Sequence, residues 1–292
     1  MTFTRSSSSL YGIHRFYQAD VVVFCEGGAS LTYSEAIRYS DCSGTLDTLY
    51  WSSIVSRLGV QKTFHFKSVG GKLTIDALAD EVRRLTLTTV TVCRDSDYDR
   101  RLGRNSTAGR IAWTMGYSWE NDVVQTPVLE GLAESILGVG ADREAAITEI
   151  RAAISQFERD LPRWTEIDIS LCARGKPGMF ERAKPLAAID MTSPPNLRTV
   201  NLTTRLANAG HRRKPPAVLS VSAQEALSIC FGKLVSRALY HTFVNAIRPY
   251  CEVRLDYELF MRLAIREMIV MEAGGRLPLM SDHITNQRAA FA

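Results

Sequence analysis

VVVFCEGGAS (residues 21–30) is the stretch from which the fold is read. Four apolar, strand-prone residues lead to Cys25 without a polar interruption. A strand with one wet face alternates apolar and polar residues; a continuous run indicates burial on both faces, the habit of a parallel sheet. The strand then ends on a carboxylate, Glu26, followed by two glycines. Glycine tolerates close backbone approach, so these two would let a phosphate backbone come near.

The segments around this strand repeat its pattern. DTLYWSSIVSRLG (47–59) has Leu49, Tyr50, Ile54 and Leu58 near one helical face, with Asp47 as a candidate cap and Gly59 as a stop. KTFHFKSV (62–69) reads as a second strand. GGKLTIDALADEVRRL (70–85) reads as a second helix, with Leu73, Leu78, Val82 and Leu85 at helical spacing. TTVTVCRDSDYD (88–99) is a third strand running into an acidic turn. GRIAWTMGYSWEN (109–121) holds a fourth strand, and a helix is expected over 122–138. Between 28 and 45 the chain is polar and loop-like, with room for a short helix at YSEAIRY (33–39). Strand–helix–strand–helix at this spacing predicts right-handed βαβ units, hence an α/β domain built on a parallel sheet flanked by helices.

The character changes after Gly140. ADREAAITEIRAAISQFERDL (141–161) predicts a helix that stops near Pro162. TEIDISLCA (165–173) reads as a short strand, followed by loops. From Ser222 the pattern is helical again, over 223–247 and 256–274. The expected organisation is a catalytic domain over 1–140 and a mostly helical C-terminal region over 141–292 packed on it.

Composition narrows the function classes. With 46% hydrophobic and 23% charged residues, the chain is expected to fold rather than remain disordered. A net charge of +4 is compatible with a nucleic-acid partner without demanding one. The six cysteines stand singly, with no C-x-x-C pair, which argues against structural zinc. Neither a signal sequence nor a membrane span is read, so no membrane association and a cytoplasmic setting are expected. The five histidines lack metal-ligand spacing.

Two strand ends carry acids: Glu26 after the first, and Asp95-Ser96-Asp97-Tyr98-Asp99 after the third. In a parallel sheet both ends fall on one edge. Hard oxygen ligands converging there suit Mg²⁺ or Mn²⁺, although an acidic turn after a strand is also a common solvated loop. The order of the acids excludes a response-regulator receiver and a haloacid-dehalogenase-type phosphatase. VGGK (69–72) lacks the spacing of a phosphate-binding P-loop.

A Glu after strand one and a D-x-D after strand three resembles the Toprim domain. EGG (26–28), DTLYW (47–51), VGGK (69–72), CRDSDYD (93–99), YSWEN (117–121) and ICFGKLVSRAL (229–239) together resemble the compact, OLD-like Toprim nucleases of bacterial anti-phage defence. The resemblance implies a Toprim-type fold and a Mg²⁺- or Mn²⁺-dependent endonuclease. It implies Glu26, Asp47, Asp95 and Asp97 at the metal, with Glu26, Asp95, Asp97, Glu120 and Lys233 as the catalytic set and Asp99 outside it. It further implies an ABC-type ATPase partner that releases the nuclease when a phage anti-restriction protein is sensed. The freed subunit is expected to form a homodimer and cleave RNA, tRNA in particular. An OLD-like DNA nuclease and a non-catalytic module that binds an ATPase are the alternatives.

The sequence departs from the family in two places. About twenty residues (28–46) separate EG from the D…W helix, which leaves Asp47 either a helix cap or a ligand. Leu234 follows the Gly-Lys pair where an acid is common, which leaves Lys233 either a phosphate contact or a surface side chain. Glu120 and Asn121 are read as site residues or helix caps, and Trp51 and Trp119 as core. The basic runs 99–104 and 211–216 are read as grips on an RNA backbone or as solvated loops.

Overall fold

A computed structural model describes residues 9–38, 44–104, 109–191, 196–208 and 218–292. In chain order the elements are α1 (Ser9–Phe16), β1 (Val21–Cys25), α2 (Tyr33–Ala36), α3 (Leu46–Arg57), β2 (Phe64–Ser68), α4 (Lys72–Leu85), β3 (Val90–Arg94) and β4 (Ile111–Trp113). They continue with α5 (Trp119–Val123), α6 (Thr126–Leu137), α7 (Ala141–Cys172), β5 (Ile189–Asp190), β6 (Asn196–Leu197), α8 (Thr199–Asn208), α9 (Ala223–Ile229), α10 (Gly232–Ile247), α11 (Tyr257–Ala273) and α12 (Pro278–Phe291). The chain divides into two compact units. The first comprises Met1–Asp95, Ser106–Thr114 and Pro278–Ala292; the second comprises Ser96–Asn105 and Met115–Leu277.

The first unit is the expected α/β body. Its four strands lie in the order β2-β1-β3-β4, every pair parallel. β1 and β3 occupy the middle, pair Cys25 with Cys93, and are buried along their whole length. The unbroken apolar run at 21–25 thus has the cause assumed for it. Ile75, Leu78, Ala79 and Val82 of α4 pack on Val22, Phe24, Val90 and Val92, joined by Leu10 and Ile13 of α1. Each such side chain, fully buried, contributes about 1.5–3 kcal/mol.

Leu73 was expected on that helical face and is instead 87% exposed. The buried positions 75, 78, 79 and 82 follow the i, i+3, i+4, i+7 rule, and residue 73 lies about 200° from residue 75 around the helix.

The cap of α3 and the last helix of this unit differ from expectation, while the short helix expected at 33–39 forms. The cap of α3 is Thr45, whose side chain accepts the Thr48 N–H at 3.3 Å, so Asp47 is not a cap. The short helix within 28–38 forms as α2, with a capping box between Thr32 and Glu35. The C-terminal residues form a separate helix, α12, that belongs to this unit. Phe291 at its end is fully buried, with its ring 6.4 Å from Trp51 and 6.1 Å from Phe64. Thr91 donates to the Ala290 carbonyl at 2.8 Å, and the Trp113 N–H donates to Gln287 at 3.2 Å.

The second unit is helical apart from the two-residue strands β5 and β6. The helix expected to stop near Pro162 runs on to Cys172, 32 residues in all, with Pro162 inside it. TEIDISLCA is therefore the end of α7 and not a strand. Burial falls on Ile154, Phe157, Leu161, Trp164, Asp168 and Leu171, a helical period, and this continuous buried face outweighs the local penalty of the proline. The single helix expected over 122–138 is two: α5 ends at Val124, which leaves helical geometry, and Pro127 sits in the first turn of α6. The stretch 223–247 likewise breaks at Cys230, which is extended.

Candidate functional site

In the first unit, the ladder between β1 and β3 continues one step past the strands: the Glu26 N–H donates to the Cys93 carbonyl at 3.0 Å. The Glu26 side chain turns over the end of β3, and its Oε2 accepts the Asp95 N–H at 3.2 Å. The residue before Asp95 is held on both sides. Arg94 is ion-paired with Asp76 of α4, and its guanidinium carbon lies 4.5 Å from the Trp113 ring centroid.

Gly27 explains how Asp47 reaches this edge despite the insertion. A Cβ at Gly27 would fall 2.0 Å from Asp47 Oδ1 and 2.4 Å from Oδ2, so the Asp47 carboxylate rests directly against the backbone following Glu26. Gly27 has φ of +136° and exchanges backbone hydrogen bonds with Gly70, at 2.8 and 2.6 Å. The Ser68 hydroxyl occupies the space beside Gly28 and donates to the Gly27 carbonyl at 2.6 Å. The glycines were expected to admit a phosphate; what they admit here is Asp47 and Ser68. Glu26, Asp47 and Asp95, all half-buried, are thereby gathered at the carboxyl edge of the sheet.

In the second unit, the turn after Asp95 is pinned by the Asp97 N–H, which donates to the Tyr117 carbonyl at 2.6 Å, and by the Asp99 N–H, which donates to Ser96 at 2.9 Å. Asp97 takes a positive φ of +44°. Glu120, in the first turn of α5, is only 4% exposed, and its Oε2 accepts the Ser118 hydroxyl at 2.5 Å. Burial pushes the Glu120 carboxyl above the usual range; Ser118, its own backbone amide and the Lys233 ammonium pull it down, and the Asp97 charge pushes it up.

Lys233 stands near Glu120 because Gly232 lets α10 come close. A Cβ at Gly232 would lie 2.0 Å from Ser118 Oγ and 2.6 Å from Asn121 Oδ1. Asn121 fixes the same corner: its amide donates to Leu227 at 2.6 Å and Cys230 at 3.0 Å, while its oxygen accepts the Ser118 N–H at 3.0 Å. Ser118 is thus the N-cap of α5 with Asn121 as its capping-box partner, and Glu120 is a buried acid within electrostatic reach of Asp97 and Lys233.

Trp51 and Trp119 are buried, as read. The arginines of run 99–104 are engaged within their unit: Arg100 with the Met115 carbonyl, Arg101 in an ion pair with Glu225, and Arg104 with the Ala173 carbonyl. The run 211–216 lies outside the described residues. Sequence reasoning missed Asp122 and Asp168. Asp122 is fully buried and accepts the Met115 and Gly116 N–H groups at 2.9 and 2.6 Å. Asp168 sits on the apolar face of α7, where a helical reading of 165–173 would have marked it as a buried carboxylate.

Among the described residues, no group of three or more His, Cys, Asp or Glu side chains is arranged to hold a metal ion by itself. Glu26, Asp47 and Asp95 are nevertheless hard oxygen donors of the kind that Mg²⁺ takes. That ion keeps several waters and is commonly held by one or two carboxylates plus substrate phosphate, without an all-protein cage. The glycine cradle at residue 27, filled by a carboxylate beside Glu26, brings hard oxygens together at a strand edge where open α/β sheets bind ligands. Among the described residues no helix is long and apolar enough to cross a membrane. Compared with known proteins, the chain matches no protein-family model and no curated protein.

Proposed function

We propose that the chain is a metal-dependent Toprim ribonuclease of the anti-phage defence kind. The observation that carries this reading is the Glu26–Asp95 contact at the ends of adjacent central parallel strands, with the Asp47 carboxylate against Gly27 beside it. A divalent cation held there supplies charge neutralisation on phosphate and lowers the pKa of water. The chain's own residues do the rest. Glu26 moves a proton as general acid or base, and its orientation is set by the Asp95 amide. Asp47 and Asp95 hold negative charge for the ion.

The resemblance adds roles for three residues of the second unit: Asp97 as a ligand, Glu120 as an acid partner and Lys233 as a cation for phosphate charge. Burial of Glu120 favours its protonated form, which suits a proton donor. The same resemblance, to the nuclease component of the PARIS defence system, proposes the ATPase that holds the chain, release on sensing a phage anti-restriction protein, homodimer formation and attack on tRNA.

The test incubates the purified chain with total tRNA and, separately, with plasmid DNA, each with Mg²⁺ or with EDTA. Mg²⁺-dependent cleavage of tRNA alone is expected. Cleavage of the plasmid in preference to tRNA would establish the DNA-nuclease reading instead. Inertness toward both would favour the non-catalytic module.

A further inference from the structure

Asp168 is fully buried in the middle of α7. A carboxylate removed from water costs several kcal/mol unless it is paired and hydrogen-bonded. Its oxygens are met by four donors. The Tyr98 hydroxyl donates to Oδ2 at 2.5 Å and Arg182 to the same oxygen at 2.8 Å. The Met179 and Phe180 N–H groups donate to Oδ1, the latter at 3.2 Å. Arg182 in turn lies over the rings of Phe231, at 4.2 Å, and Tyr117, at 5.5 Å. Tyr98 and Tyr117 meet edge to face with ring centroids 4.9 Å apart.

Two members of this network bracket Asp97. Tyr98 is its chain neighbour, and Tyr117 provides the carbonyl that accepts its N–H at 2.6 Å. A non-glycine residue at φ +44° is held there by its surroundings, since the conformation costs about 1 kcal/mol or more. Packing the two tyrosine rings would not require a carboxylate. Asp168 ties the Tyr98 hydroxyl and Arg182 to one buried oxygen.

We propose that Asp168 is a positioning residue for Asp97, fixing the 96–99 turn through the Tyr98 hydroxyl and the Arg182–Tyr117 stack so that the Asp97 carboxylate is preset for a divalent cation. This rests on the ligand role assigned to Asp97 above. Groups that orient a ligand from behind it change metal affinity about 10–100-fold when removed.

The test uses the full chain and four proteins: wild type, Tyr98→Phe, Asp168→Asn and Asp97→Asn. Two quantities are read, amide exchange of Asp97 without metal and Mn²⁺ affinity by titration calorimetry. Tyr98→Phe removes one hydroxyl and keeps the ring, so it remains informative where Asp168→Asn fails to fold. Tyr98→Phe is expected to speed Asp97 amide exchange and to weaken Mn²⁺ about tenfold, with a moderate fall in the thermal midpoint because the buried Asp168 carboxylate loses one donor. Unchanged exchange in Tyr98→Phe overturns the positioning role whatever the metal does. Faster exchange with wild-type Mn²⁺ affinity, where Asp97→Asn binds poorly, overturns it as well. Wild-type Mn²⁺ affinity in Asp97→Asn itself overturns the ligand reading, and with it the link from Asp168 to the metal.

Discussion

Gly27 is the residue on which the first-unit site turns. It sits at φ +136°, and the place of its missing Cβ is 2.0 Å from an Asp47 oxygen. Gly27→Ala should therefore displace Asp47 and destabilise the chain by about 1–3 kcal/mol in chemical denaturation. A variant as stable as wild type would mean that Asp47 swings away at no cost. Glu120 gives a pH prediction. Its carboxyl is raised by burial, so the native state binds the proton more tightly than the unfolded chain. Stability from this group is then fully present below the unfolded carboxylate value and is lost as pH rises through the folded one. Glu120→Gln, which keeps an acceptor for Ser118, should gain stability over wild type at neutral pH and lose that advantage below about pH 4. Denaturation curves at both pH values, without metal, check this. The meeting of Glu26 and Asp95 was legible because strand ends in a parallel sheet share an edge. The position of Asp47 was not, because a contact across an insertion depends on the path of the backbone, which no spacing rule supplies.

At the scale of elements, α7 carries the clearest lesson. Pro162 read as a stop because proline removes a backbone donor and clashes with the preceding turn. The helix continues through it because the same face is buried on both sides of the proline, from Ile147 to Leu171. Pro162→Ala should accordingly stabilise the chain by about 1–3 kcal/mol, and an unchanged or lower denaturation midpoint would show that the proline itself is needed for packing. The strand reading of TEIDISLCA was misleading because a window of nine residues fits a strand and a helix almost equally well. The four strands of the sheet, by contrast, were legible, because strand-like runs alternating with helical ones at this spacing have few other solutions. α12 escaped notice because its sequence is weakly amphipathic and its role is read only from where it docks. Phe291→Ala should cost about 3 kcal/mol or more by opening a void between Trp51 and Phe64. A loss below about 1 kcal/mol would mean that the terminal helix is only loosely attached.

At the scale of the whole molecule, the sequence elements interleave between two units. D-x-D itself straddles the boundary, with Asp95 at the end of the first unit and Asp97 within the second. Glu26, Asp47 and Asp95 belong to the first unit, and Asp97, Glu120 and Lys233 to the second. The net charge of +4 is small for a nucleic-acid enzyme, and three arginines of the 99–104 run are engaged with their own unit. On the proposed nuclease reading, substrate affinity would depend on the metal as much as on basic side chains. The most direct measurement of the nuclease reading is tRNA cleavage by wild-type and Glu26→Ala proteins in Mg²⁺, with circular dichroism melts run alongside. Cleavage by the wild type, its loss in Glu26→Ala and coincident melts are predicted. Equal cleavage by a well-folded Glu26→Ala protein would contradict the account.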